Sequence, residues 1–230
     1  MNKYTTLLFD ADDTLLDFDK DETQALKKVM THYGVPVTDK NISIYKEINL
    51  GLWKALERGE IDKPTLKQVR FGMFFDKIGF TPSEDSFKIN EEYLGNLGDG
   101  GNLLDGAKEL IENLKAQGYN LYIVTNGIEH TQKKRLAKAG ILHHFADIFV
   151  SETIGHQKPK KEYFDYVLSH IDEKDIGRVL LIGDSLTSDI KGAVDAGIKC
   201  VWLRRKKDAD YRGYKPDYII DDISEIKNLL

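Results

Sequence analysis

Thr6-Leu7-Leu8-Phe9-Asp10-Ala11-Asp12-Asp13-Thr14 sets the frame for the whole chain. A dense apolar run, Leu7-Leu8-Phe9, ends abruptly in acids, and no polar residue alternates inside it. Such a run reads as a short strand covered on both faces, the habit of a parallel sheet. Four more runs share this texture: Leu121-Tyr122-Ile123-Val124, Ile148-Phe149-Val150, Val179-Leu180-Leu181-Ile182 and Cys200-Val201-Trp202-Leu203. Between them lie helical patterns. Over residues 105–118, Leu110, Ile111 and Leu114 share a face, Asp105 stands where a cap belongs, and Gly118 can end the helix. Segments 130–140 and 186–197 behave alike. Strands alternating with helices predict an α/β fold, a doubly wound Rossmann-like core with a mostly parallel sheet.

From about Asp17 to Gly101 the texture changes. No strand-like run occurs there, and Leu26, Val29, Met30 and Tyr33 recur at helical spacing. Thr81-Pro82-Ser83-Glu84 has the marks of a helix start, with Thr81 as N-cap, Pro82 at the first position and Glu84 closing a capping box. Gly98-Asp99-Gly100-Gly101 supplies a flexible return. The expectation is an all-helical module, residues 17–101, inserted after the first strand of a core made of residues 1–16 and 102–230.

The 230 residues are 41% hydrophobic and 31% charged with five prolines, which excludes a disordered or collagen-like chain. Cys200 is the one cysteine, so no intrachain disulfide forms, and its apolar setting reads as a small buried hydrophobe. A net charge of −5 speaks against a nucleic-acid polymer as partner. No apolar run reaches the roughly 18 residues of a membrane span. Asp10, Asp12 and Asp13 arrive before a signal-peptide core can form. A soluble, cytoplasmic protein with no membrane partner, monomeric or homodimeric, is expected.

Ligands of open α/β sheets bind beyond the carboxyl ends of the strands. Asp10, Asp12, Asp13 and Thr14 follow the first run, and Thr125, Asn126 and Gly127 the second. Lys158-Pro159 follows the third within a loop, and Gly183, Asp184 and Ser185 follow the fourth, with Asp189 five residues past Asp184. Carboxylates brought to one place repel unless a cation sits among them or a proton is shared. Magnesium takes hard oxygen ligands and pairs with substrate phosphate. A carboxylate can also attack phosphorus to form an aspartyl-phosphate. Thr125, the backbone amides near Asn126 and Gly127, and Lys158 can donate to phosphate oxygens. A carboxyl two residues past the nucleophile can protonate a leaving alkoxide.

These segments, Asp10-Ala11-Asp12-Asp13-Thr14, Thr125-Asn126-Gly127, Lys158-Pro159 and Gly183-Asp184 with Asp189, resemble the four motifs of the haloacid dehalogenase superfamily, in the right order over nearly the whole chain. The helical insertion resembles that superfamily's C1 cap. The stretch from Asp10 to Phe18 looks most like the pyrimidine 5′-nucleotidase subgroup. The resemblance implies that Asp10 is the nucleophile and Asp12 the general acid, then the base. It implies a Mg2+ ion held by Asp10, the backbone carbonyl of Asp12, and Asp184, with Asp189 supporting the metal or Lys158. Thr125 and Lys158 would hold the phosphate. An acid at Asp12 favours phosphoester hydrolysis or phosphomutase chemistry over dehalogenation. Lys160-Lys161 departs from the acidic residue and second proline of many relatives. The activity implied is a magnesium-dependent phosphomonoester hydrolase for a small molecule, with nucleoside 5′-monophosphates favoured. A sugar phosphomutase or sugar-phosphate phosphatase is the alternative, and a phospho-receiver signalling module a remote one.

Some of these residues have plainer readings. Asp13 is a turn residue by its place, Thr125 alone is an N-cap type, and Asp189 alone is a helix-face acid. His143-His144 and His156 read as loop residues, and Arg204-Arg205-Lys206-Lys207 as a solvated cluster that can also meet an anion. Trp53, Phe71, Phe74 and Phe75 read as helix core, with one of them or Phe18 able to stack on a base.

Overall fold

A computed structural model describes residues 3–205, 211 and 213–230. Its sheet comprises β1 (Thr6–Phe9), β2 (Asn120–Thr125), β3 (Asp147–Val150), β4 (Val179–Gly183), β5 (Lys199–Leu203) and β6 (Tyr218–Ile220). The strands lie in the order β3-β2-β1-β4-β5-β6, and every neighbouring pair is parallel. This is the expected Rossmann-like α/β fold. The five apolar runs are β1 to β5. The three-residue β6 is an addition, too short for its composition to mark it.

The helices in chain order are α1 (Phe18–His32), α2 (Asp39–Glu57), α3 (Lys63–Ile78), α4 (Ser86–Gly98), α5 (Ala107–Ala116), α6 (Glu129–Lys138), α7 (Ser151–Ile154), α8 (Lys161–His170) and α9 (Lys191–Ala196). The lack of polar alternation in the strands now has its cause. Side chains alternate in direction along a strand, yet both faces of this sheet are covered. Leu7, Phe9, Leu121, Ile123, Leu180 and Ile182 pack against Leu110, Ile111 and Leu114 of α5. Leu8, Tyr122, Val124, Leu181 and Cys200 pack against Tyr163, Phe164 and Val167 of α8.

Several helix ends differ from expectation. Helix α4 starts at Ser86 with Asp85 as its cap, accepting from the Phe87 amide at 2.9 Å, so Thr81 and Pro82 lie outside it. The Glu84 carboxylate is used locally, accepting from the Asp85 amide at 2.9 Å, and closes no capping box. Gly106, not Asp105, precedes α5, in the left-handed region at φ 78°. The segment before α9 is a π-helical turn, Leu186–Ile190, capped by Ser185. Helix α8 forms at Lys161 despite the lysine pair.

The chain divides into two compact units, Met1–Phe18 with Gly101–Leu230, and Asp19–Gly100. The second consists of helices only. Tyr45, Phe71, Phe74 and Tyr93 form its buried aromatic centre, with Tyr45–Phe71 and Tyr45–Tyr93 centroids 5.1 and 5.5 Å apart. Beside it runs a buried polar chain. Asn49 donates to Glu22 at 2.6 Å, and Arg70 donates to Asn49 at 3.0 Å and to Asn90. Among the described residues no helix is long and apolar enough to cross a membrane. Arg204 makes a two-pronged pair with Asp221 at 2.7 and 2.9 Å, whereas Lys206 and Lys207 lie outside the described residues. His143 and His144 stand in a 3-10 turn, Leu142–His144, rather than in an open loop, His156 stands in a loop, and among the described residues none of them joins an acid cluster.

Candidate active site

The strand order reverses between β1 and β4, the switch point where open α/β sheets bind ligands. Asp10 follows β1 and its amide donates to Ile182 O at 2.9 Å, so the ladder itself fixes the residue's position. Asp184 follows β4 next door, and the Trp202 indole donates to its backbone carbonyl at 2.8 Å. Carboxylate oxygens of Asp10, Asp184 and Asp189 lie within 4.8 Å of one another.

Lys158 occupies the centre of this group. Its ammonium donates to Asp10 Oδ1 at 2.6 Å, Asp189 Oδ1 at 2.7 Å and Val124 O at 2.8 Å. It is 1% exposed, so its charge is balanced inside the protein rather than by water. Its loop is anchored by Asn126, whose side chain donates to Lys158 O and accepts from Lys158 N, both at 2.9 Å. Asn126 thereby holds the lysine's backbone. Asp189 also accepts from the Ser185 amide at 3.1 Å. Gly183 is needed for this approach, because a Cβ there would stand 2.4 Å from Asp189 Cγ.

Two buried carboxylates, Asp10 and Asp189, share one ammonium with the half-buried Asp184 beside them, so that full ionisation of all three would leave two negative charges unmatched. Burial pushes the Asp10 carboxyl up to about 7 against the pull of Lys158, with Asp189 and Asp12 adding to the rise. Burial, then Asp10 and Asp189, raises Asp184 well above the carboxylate range. Burial works against the Lys158 charge, yet Asp10 and Asp189 outweigh it and hold the ammonium above the usual lysine range. Among the described residues no cation pairs with Asp184. An all-oxygen donor set whose full ionisation calls for two more positive charges fits a hard divalent cation.

On the β2 side, the Thr125 hydroxyl accepts from the Gly127 amide at 3.1 Å and from Gln132 Nε2 at 3.0 Å. With both acceptor sites filled, its proton is what it has left to offer a ligand. The plain N-cap reading does not hold, because Ile128 precedes α6. Asp12 accepts from Gln132 at 2.7 Å and from Arg135. Thr14 donates to Asp10 Oδ2 at 3.3 Å. Asp13 is a turn residue at φ 56°. The structure thus gathers Asp10, Asp184, Asp189 and Lys158 in one cluster, and Asp12 and Thr125 in a second bridged by Gln132. Gln132 and Arg135 escaped the sequence reading. Their signal was there: they stand three apart on α6, on the face that buries Leu136.

A family model for haloacid dehalogenase-like hydrolases matches residues 4–197. The HAD-hydrolase YfnB of Bacillus subtilis is 41% identical over all of this chain and 97% of its own length. A crystal structure of YfnB bound to magnesium superposes with a TM-score of 0.93 over 100% of this chain and 99% of that one, again at 41% identity. The pyrimidine 5′-nucleotidase PynA of Streptococcus pneumoniae is 34% identical, covering 99% of this chain and 95% of its own. The pyrimidine 5′-nucleotidase YjjG of Escherichia coli is 30% identical, covering 99% and 98%.

Proposed function

This chain belongs to the haloacid dehalogenase-like hydrolases, and we propose that it is a magnesium-dependent phosphatase acting on nucleoside 5′-monophosphates through an aspartyl-phosphate. The observation that carries the reading is the Asp10–Lys158–Asp189 ion cluster with Asp184 beside it, at the switch point of the sheet. The nucleotide preference rests on similarity to PynA and YjjG over nearly their full lengths.

In this reading Asp10, the backbone carbonyl of Asp12, and Asp184 hold the magnesium ion. When bound, the ion offsets the charge of phosphate and carboxylates and orients the phosphoryl group. An Asp10 carboxylate oxygen attacks phosphorus in line. The phosphorus–ester oxygen bond breaks, its electron pair goes to the leaving oxygen, and Asp12 gives that oxygen a proton. Asp12, now ionised, takes a proton from water, and the resulting oxygen bonds to phosphorus. The phosphorus–Asp10 bond breaks, releasing phosphate and the Asp10 carboxylate. The Thr125 hydroxyl, held by the Gly127 amide, and the Asn126 amide donate to the phosphoryl oxygens, Lys158 turns to them the N–H that Asp10 accepts in the resting site, and Asp189 keeps Lys158 in place. The helical unit, drawn in the sequence at residues 17–101, takes the part of a C1 cap.

A phosphate-release screen over nucleotides and sugar phosphates, with magnesium or with chelator, tests this. Nucleoside 5′-monophosphates are expected to lead, with activity lost on chelation. Equal rates on every compound, or indifference to chelator, would overturn the reading. Asp10→Asn is expected to abolish turnover in a protein that still folds; residual turnover removes Asp10 from its role.

A further inference from the structure

We propose that Gln132 and Arg135 are positioning residues that seat the Asp12 carboxylate for proton transfer; this rests on the phosphatase reading above. Arg135 is fully buried, an unusual place for a guanidinium. It donates to Asp12 Oδ1 and, at 3.0 Å, to Gln132 Oε1. Because a guanidinium only donates, this contact fixes which end of the Gln132 amide faces it. The Nε2 end is thereby turned to Asp12 Oδ2 at 2.7 Å and to Thr125 Oγ1 at 3.0 Å. Each carboxylate oxygen of Asp12 receives one fixed donor and keeps a further lone pair. The group is oriented without being used up.

Three further features hold this seat in place. The Phe18 ring lies 5.6 Å from the Arg135 guanidinium carbon, covering its face. Gly127 gives the room Gln132 needs, since a Cβ there would stand 2.6 Å from Gln132 Nε2. Gly101, at φ 119°, lets the returning chain lie against α6, where a Cβ would meet Arg135 O at 2.8 Å. One amide therefore links the proposed acid–base, Asp12, to the proposed phosphate donor, Thr125. A carboxyl that must first give and later take a proton gains from being held where both transfers occur.

The test compares leaving groups in single-turnover experiments. A nucleoside 5′-monophosphate releases an alkoxide that needs a proton, whereas para-nitrophenyl phosphate releases a stable phenolate that does not. Gln132→Met keeps length and volume but removes both polar ends. It is expected to slow alcohol release from the nucleotide on the order of 100-fold, with nitrophenolate release slowed only a few-fold. Gln132→Asn, which keeps the amide on a shorter arm, is expected to restore part of the difference. Arg135→Lys is expected to show the same selective loss. If Arg135→Lys does not fold, Gln132→Met alone decides, with its melting temperature as control. Equal slowing of both substrates, or no slowing, would overturn the positioning role while leaving the phosphatase reading intact. A wild type inactive on both substrates would overturn both.

Discussion

Lys158 is the residue on which the site's charge balance turns. It is buried between Asp10 and Asp189 at 2.6 and 2.7 Å. Removing one partner of a buried ionic group leaves the others uncompensated, which costs about 3–5 kcal/mol. We expect Lys158→Met, unfolded by denaturant in chelator, to lose stability of that size, and saturating magnesium to return part of it. Unchanged stability would show that Asp10 and Asp189 are neutral in the folded protein. Asp10 was legible because an acid directly after an apolar run is conspicuous, whereas Lys158, in a loop before Pro159, and Asp189, five residues past Asp184, stood out through their place in the four-motif pattern. Thr14 on Asp10, a bond between residues four apart that depends on how the loop turns, was not legible, nor was the hold of Asn126 on the Lys158 loop, because a hydrogen bond across 32 residues leaves no local pattern.

At the scale of elements, α9 shows how closely the core is packed beneath the site. A Cβ on Gly192 would stand 2.3 Å from the Phe164 ring of α8 and 3.1 Å from Pro159 Cα. The ring edge and the backbone next to Lys158 both resist displacement. Gly192→Ala is therefore expected to destabilise by about 1–3 kcal/mol through overpacking and to lower activity by moving the Lys158 loop. A thermal melt with a turnover assay checks both; wild-type values in each would contradict the close packing. Element types were legible in the sequence because both faces of the sheet are covered, so the strands carry unbroken apolar runs. Helix boundaries were less so. Asp85 and Thr81 are both good caps by residue type, and the choice between them is made by where the Ser86–Gly98 face buries Ile89, Tyr93 and Leu97. Gln132 and Arg135 were missed for a related reason: polar residues on a buried helix face have meaning only once their partners are known.

For the whole molecule, two groups of buried carboxyls make stability depend on pH and metal. In the helical unit, burial pushes Glu22 up to about 7, although Asn49, Lys46 and Arg70 oppose the rise. A carboxyl raised in the folded state favours folding while it is protonated. Its contribution is present below its ordinary value of 4.5 and is lost as pH climbs through about 7. Glu22→Gln is expected to be more stable than wild type at pH 8, by up to about 3 kcal/mol, and to converge with it near pH 4.5. Curves that stay parallel across that range would contradict the buried ionisation. In the sheet unit, a cation bound only by the folded chain adds about 2.7 kcal/mol at one hundred times its dissociation constant. Magnesium is expected to raise the wild-type melting temperature and to do so far less in Asp184→Asn.

The central claim is that Asp10 captures the phosphoryl group before water does, and the stereochemical course at phosphorus tests it most directly. A phosphorothioate monoester made chiral with two oxygen isotopes is hydrolysed in water carrying the third. Two successive in-line displacements, first by Asp10 and then by water, predict retention of configuration. Inversion would mean a single attack by water, and would contradict the account.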